Sequence, residues 1–160
     1  MTRLSRLAVL PLALLLGAAP RGAATVHCIL VDSTPRLGLR NADMVFVGEV
    51  LDSSRRALGR DPTTNDEITF NAFVARHRVL EVFKGHLARG DTIETLSDLQ
   101  PDGITMNRGW EFVPGMRYLI YARRGHFGLY VTECGRTTTA TDSTADILAL
   151  RTLTARRGSR

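Results

Sequence analysis

The sequence predicts a mainly β domain: a small closed barrel of about five strands, followed by one C-terminal helix. Three observations lead there. Short runs rich in β-branched and aromatic residues recur between Gly, Pro and Asx turn signals. The first run, Met44-Val45-Phe46-Val47-Gly48-Glu49-Val50, has apolar side chains on both parities, as a strand covered on both faces requires. Only near the end does an apolar stripe at helical spacing emerge, in Ile147, Leu150 and Leu153. Closure is expected because it removes the exposed edges that open sheets must protect.

Asn41-Ala42-Asp43 leads into the first strand. Residues 52–67 are polar and charged and contain Gly59 and Pro62, which reads as a long exposed loop. Ile68 to Phe83 is extended, with Phe70, Ala72 and Val74 on one parity and Phe73, Ala75 and Val79 on the other. Arg76-His77-Arg78 interrupts the pattern. A bulged strand accounts for the change of buried face, and so does a break into two strands. Gly85 and Gly90 bound a turn, Asp91 to Leu96 is a short strand, and Gln100-Pro101-Asp102-Gly103 is a turn. Pro114-Gly115 turns into a strand at Arg117 to Ala122. Arg123-Arg124-Gly125 links it to a hairpin partner at Gly128 to Thr132. Ser143, with Asp146 three residues on, resembles a capping box opening the helix.

Residues 1–24 have the three parts of a secretory signal peptide: Arg3 and Arg6, an apolar core from Leu7 to Ala19, and small residues at Gly22-Ala23-Ala24. The core is shorter than the roughly 20 residues a spanning helix needs, so stable membrane insertion is not expected. Cleavage after Ala24 removes Arg3, Arg6 and Arg21 and no acid, lowering the formal +5 by those three charges. Basic residues at the end, Arg151, Arg156, Arg157 and Arg160, make up much of the remaining excess. No basic face interleaved with aromatics is evident, so nucleic acid is not an expected partner. The remaining chain, residues 25–155, suits one domain, with 156–160 as a basic disordered tail. Two cysteines, Cys28 and Cys134, lie behind the export signal and read as a disulfide rather than a redox or metal pair.

The common catalytic motifs are missing: no Gly-x-Ser-x-Gly, His-Glu-x-x-His, Cys-x-x-Cys or phosphate-binding glycine loop occurs. His27, His77, His86 and His126 are scattered, and none has a neighbour at metal-ligand spacing. His77 is assigned a structural or surface role. Trp110 and Phe112 are read as barrel packing. An enzyme is therefore not expected, nor is a cofactor or a resident metal. A signal cut after Ala24 would leave Thr25-Val26-His27, whose amine, backbone amides and imidazole suit square-planar Cu(II) or Ni(II); the competing reading of His27 is a surface residue.

The ordered pieces resemble a family. They are Cys28, the run from Asn41 to Val50, Val82-Phe83-Lys84-Gly85, the run from Gly109 to Ala122, and Thr132-Glu133-Cys134. Together they look like the N-terminal netrin-like domain of the tissue inhibitors of metalloproteinases, as in small exported bacterial members. The likeness covers roughly residues 28 to 153. It implies a five-stranded OB-type (netrin-like) barrel with a short flanking helix before Asn41 and a C-terminal helix. It also implies that Cys28 pairs with Cys134. In animal members a Cys-x-Cys terminus chelates the protease zinc through the first cysteine. Here that position falls on Val26, and its partner position falls near Arg108. The zinc-chelating cysteine is thus not carried over.

The expected function is a secreted or periplasmic, monomeric, non-catalytic binding module whose partner is unknown. The alternative is a metalloprotease inhibitor acting through the N-terminal segment and the 52–67 loop, with a zinc protease as partner. The candidate partner-binding residues are Thr25, Val26, His27 and Cys28. A disulfide closing this loop would stabilise the fold by about 4–5 kcal/mol in chain-entropy terms. Thiol titration of the denatured, unreduced protein is expected to find no free thiol. Two reactive thiols per chain would remove the staple.

Overall fold

The computed structural model describes residues 34–60, 69–101, 110–132 and 135–158. Within them, a short helix α1 (Pro35–Asn41) precedes strands β1 (Met44–Arg60), β2 (Thr69–Lys84), β3 (Thr92–Pro101), β4 (Arg117–Gly125), β5 (Gly128–Tyr130) and β6 (Thr138–Thr139). Helix α2 (Thr144–Gly158) follows. The strands pair in the order β1-β2-β3-β5-β4, and β4 pairs again with β1, which closes a ring of five strands. β6 adds to β4 outside that ring. All contacts are antiparallel except β3–β5, a single parallel pairing of Leu96 with Tyr130. The mainly β character, the closed ring and the C-terminal helix match the sequence expectation. Helix α1 occupies the place where the resemblance implied a flanking helix.

Alternation along β1 and β4 divides the core in two. Met44, Phe46 and Val50 of β1 join Tyr118, Ile120 and Ala122 of β4 in a cluster inside the ring. The intervening Val45, Val47, Leu119 and Tyr121 face outward and pack against Leu39 of α1 and Leu150 of α2. Both faces of the strands are thus dry, which the apolar residues on both parities of the Met44–Val50 run had indicated. Gly48 makes the inner packing possible: a Cβ there would lie 2.9 Å from the Phe46 ring and 3.1 Å from the His77 Cβ. Gly38 does the same outside, where an added Cβ would stand 2.7 Å from the Tyr121 ring and hold α1 off the sheet.

Both ends of α1 are satisfied locally. The Thr34 hydroxyl accepts from the Leu37 N–H at 3.2 Å, and Pro35 supplies the first turn without needing a hydrogen-bond acceptor. At the other end the ammonium of Lys84, the chain's only lysine, donates to the carbonyls of Leu39 (3.0 Å), Arg40 (3.1 Å) and Ala42. A cation placed there answers carbonyls that have no partner within the helix.

β2 is one continuous strand. Its pairing with β1 slips at four points, between Val45/Phe46, Val47/Gly48, Val50/Asp52 and Ala57/Gly59. These irregularities coil the pair and change the face that is buried. Ala75, Val79 and the buried His77 point into the ring, whereas Ala72 and Val74 pack with Leu96, Leu58, Phe127 and Tyr130 in a third cluster. Of the alternatives left by the sequence, the bulged strand is therefore correct.

Four expectations require correction. Residues 52–60 are strand, not loop: β1 runs on to Arg60 in register with β2. Their charges suggested a loop, but they are met across the sheet by Arg76 and Glu94. The β4–β5 turn falls at His126-Phe127, because Arg123 and Arg124 continue the strand opposite Tyr130 and Leu129. Asp43 holds that extension by accepting the Arg124 N–H at 2.7 Å. At the start of α2 the Ser143 hydroxyl donates back to the Thr139 carbonyl (2.7 Å) and Asp146 pairs with Arg136 (2.6 Å), in place of the capping box. Finally, α2 extends to Gly158, into the segment read as a tail, and Arg151 is ion-paired with Glu81.

The ring is closed over by the segment Trp110–Val113. Ser97 of β3 donates to the Trp110 carbonyl (2.7 Å), Ser53 of β1 donates to the Phe112 carbonyl (2.9 Å), and the Tyr118 hydroxyl accepts from the Val113 N–H (3.2 Å). Phe112 meets Tyr118 edge-on at 5.0 Å and His77 edge-on at 4.9 Å. The packing role assigned to Trp110 and Phe112 holds, as does the structural role of His77. The His77 ring is fully buried; its Nε2 lies 2.8 Å from the Thr95 hydroxyl, and its Nδ1 has no hydrogen-bond partner among the described residues.

Burial pushes the His77 pKa down to about 4, from 6.5 for the free side chain. The unfolded chain therefore takes up the proton first as pH falls. Stability is complete above about pH 6.5 and drops by up to ~3 kcal/mol as pH approaches 4. Urea titrations between pH 7.5 and 4 should show this loss. His77→Gln, which keeps a partner for Thr95, should flatten it; equal slopes for both proteins would dismiss His77 as the cause. Leu150 is fully buried whereas Leu148, on the same helix, is 56% exposed. Leu150→Ala should cost about 2–5 kcal/mol in the same assay, and Leu148→Ala less than about 0.5 kcal/mol.

Candidate functional site

Thr25, Val26, His27, Cys28 and Cys134 all lie outside the described residues, as does the 61–67 part of the expected loop. The structure therefore does not bring these sequence candidates together. It presents two surfaces: an arm, whose residues 52–60 belong to the 52–67 stretch expected to make contacts as a loop, and a groove that the sequence did not indicate.

The first is an arm. Pairing between β1 and β4 covers only Met44 to Glu49. Among the described residues, the last backbone bonds on that side are Val50 N–H to Met116 O (2.9 Å) and Gly115 N–H to Val50 O (2.8 Å). From Leu51 to Arg60, β1 is paired with β2 alone among the described residues, while β2 is backed by β3 from Phe70 to Arg78. The result is a three-stranded extension beyond the ring with β1 at its edge. Cross-strand charges line it. Asp52 meets Arg76 through two contacts at 2.9–3.0 Å, Glu49 meets Arg78 at 2.8 Å, and Arg56 reaches over β2 to Glu94 at 2.8 Å. The guanidinium beside it holds the Asp52 carboxyl below the usual range. Arg55 stacks over the Phe73 ring at 4.4 Å. The Asp52–Arg76 and Arg56–Glu94 pairs are exposed and screened by solvent, so they add little to stability. Their main effect is to fix which side chain faces which.

The second surface is a groove of about 740 Å³ between the outer face of the ring and α2. Its floor is aliphatic: Val47 of β1, Leu80 of β2, Ala140 after β6 and Ile147 of α2. Its rim carries three guanidiniums, from Arg89, Arg117 and Arg151, against one carboxylate, Glu81. Arg151 grips both oxygens of Glu81 at 2.7–2.8 Å and lowers that carboxyl's pKa. Arg117 has a looser contact, 3.5 Å from Glu49, and its side chain is 64% exposed. Beside the groove Val45 and Leu119 are fully buried, whereas Leu80 on its floor is only partly buried. Ile147 had been assigned to the core stripe; it serves both there and as groove floor.

Among the described residues, no Ser, Cys or His lines the groove. Among the described residues no three His, Cys, Asp or Glu side chains converge as metal ligands, and no helix is long and apolar enough to cross a membrane. Compared with known proteins, the chain matches no family model and no curated sequence at a significant level.

Proposed function

We propose that this chain is an exported, non-catalytic binding module built on a netrin-like, OB-type barrel, with the arm as its principal contact surface. One observation carries the reading: β1 continues past the closed ring to Arg60 with only one strand partner among the described residues. A preformed edge of this kind offers main-chain donors and acceptors to an extended segment of a partner. It also loses little conformational freedom when it binds, because pairing with β2, itself backed by β3, has already ordered it. The OB-type assignment is supported by the ring order β1-β2-β3-β5-β4-β1 and its single parallel contact. The leader and the two cysteines support export.

A second reading is a metalloprotease inhibitor working through Thr25–Cys28 and the arm. It is favoured by α1, which stands where the resemblance implied a helix. With Thr25 rather than cysteine first, any contact with a protease zinc would have to come from a different terminal amine.

Photo-crosslinking tests the first reading. A benzophenone side chain at Ser54, in the exported protein within its producing cells, should give a discrete protein adduct. One at the exposed Leu148 of α2 should not. Adduct formation at both positions, or at neither, would count against the arm. For the second reading, purified protein with a sequenced N-terminus is assayed against a panel of zinc proteases. Inhibition at micromolar protein, weakened tenfold or more by Arg55→Glu with Arg56→Glu, is the expected signature of an arm-borne inhibitor. No inhibition of any member removes that reading and leaves the first intact.

A further inference from the structure

We infer that the groove beside α2 binds an anionic amphiphile: a linear acyl chain ending in a carboxylate. Three properties lead to this class. A volume of about 740 Å³ lies within the range of about 300–1,000 Å³ typical of small-molecule sites. The floor, made by Val47, Leu80, Ala140 and Ile147, offers only aliphatic surface. It suits methylene groups and provides nothing to register the alternating donors and acceptors of a peptide backbone. The rim supplies the complementary charge. Arg151 grips Glu81, Arg89 also acts on that carboxylate, and Arg117 has only a 3.5 Å contact with Glu49, so three guanidiniums line the groove against one carboxylate. Guanidiniums match a carboxylate's geometry and keep their charge at any physiological pH.

The arrangement also explains the polarity of the site. Burying a chain over the floor gives affinity without direction, whereas a single anionic end places the head at the rim. A cationic or uncharged amphiphile would gain the apolar contact and lose the second term. The groove is separate from the arm, so this ligand does not depend on the arm's partner, and the two readings can fail independently.

The test is calorimetric titration of the purified protein with decanoate below its micellar concentration at pH 7.5. Saturable binding of one equivalent is expected. Octanoate should bind more weakly, by about two- to fourfold per methylene removed. Decyltrimethylammonium should bind at least tenfold more weakly than decanoate. Arg89→Glu with Arg117→Glu, both exposed and outside the core, should weaken decanoate at least tenfold while leaving the thermal midpoint within a few degrees. Ile147→Asp should abolish binding, and Arg55→Glu on the arm should leave it unchanged. Any of three results would overturn the proposal: no saturable decanoate binding, equal affinity for the cationic amphiphile, or equal affinity for a hexaglutamate peptide. Retained affinity in the Arg89/Arg117 variant would place the ligand elsewhere and overturn it too.

Discussion

The two-sided burial of β1 is the constraint from which the rest of the structure follows. A strand with Phe46 and Val50 on one face and Val45 and Val47 on the other cannot sit in an open sheet with a wet side. One face requires a ring to enclose it; the other requires helices to cover it. β4 meets the same demand with Ile120 and Ala122 inside and Leu119 and Tyr121 outside. The β1–β4 pairing that closes the ring is therefore also the seam against which α1 and α2 dock. Closure and helix packing are two consequences of one alternation.

Docking the helices then depends on local concessions. Gly38 lets α1 approach the Tyr121 ring, and Gly48 leaves room inside for Phe46 beside His77. Polar groups taken into the interior are mostly answered there: Thr95 by His77, Ser97 by the Trp110 carbonyl, and Thr137 by the Tyr121 N–H at 2.9 Å. Among the described residues, Trp110 Nε1 is one exception and His77 Nδ1 another, the latter facing aromatic edges rather than an acceptor. A neutral imidazole tolerates that position and an imidazolium does not.

Much of this was legible in the sequence, for physical reasons. The Met44–Val50 run declared a doubly covered strand through its parity, and Ile147, Leu150 and Leu153 declared a helix through their spacing. Local patterns report local structure. What escaped was whatever depended on partners distant along the chain. The polar stretch 52–60 looked like a loop because Asp52 and Arg56 have no visible reason to be in a strand until Arg76 and Glu94 stand opposite them. The groove was equally invisible, since Val47, Leu80, Arg117 and Ile147 come from four separate elements. Bulges belong to the backbone and leave only an ambiguous change of face in the pattern. The terminal residues named as a contact site, Thr25 to Cys28, lie outside the described residues.

The sole lysine has a consequence for how the molecule could be handled chemically. Apart from the α-amino terminus, the ε-amine of Lys84 is the only primary amine of the chain, and it is turned onto the last carbonyls of α1. An amine engaged in this way is a poor nucleophile, since its N–H bonds are directed at three carbonyl oxygens. Acylating reagents would reach it chiefly when α1 lifts from the seam. Reaction there would then trap the lifted state, because an amide has lost the charge that held the helix end. One side chain thus joins the covalent accessibility of the protein to the breathing of a single helix.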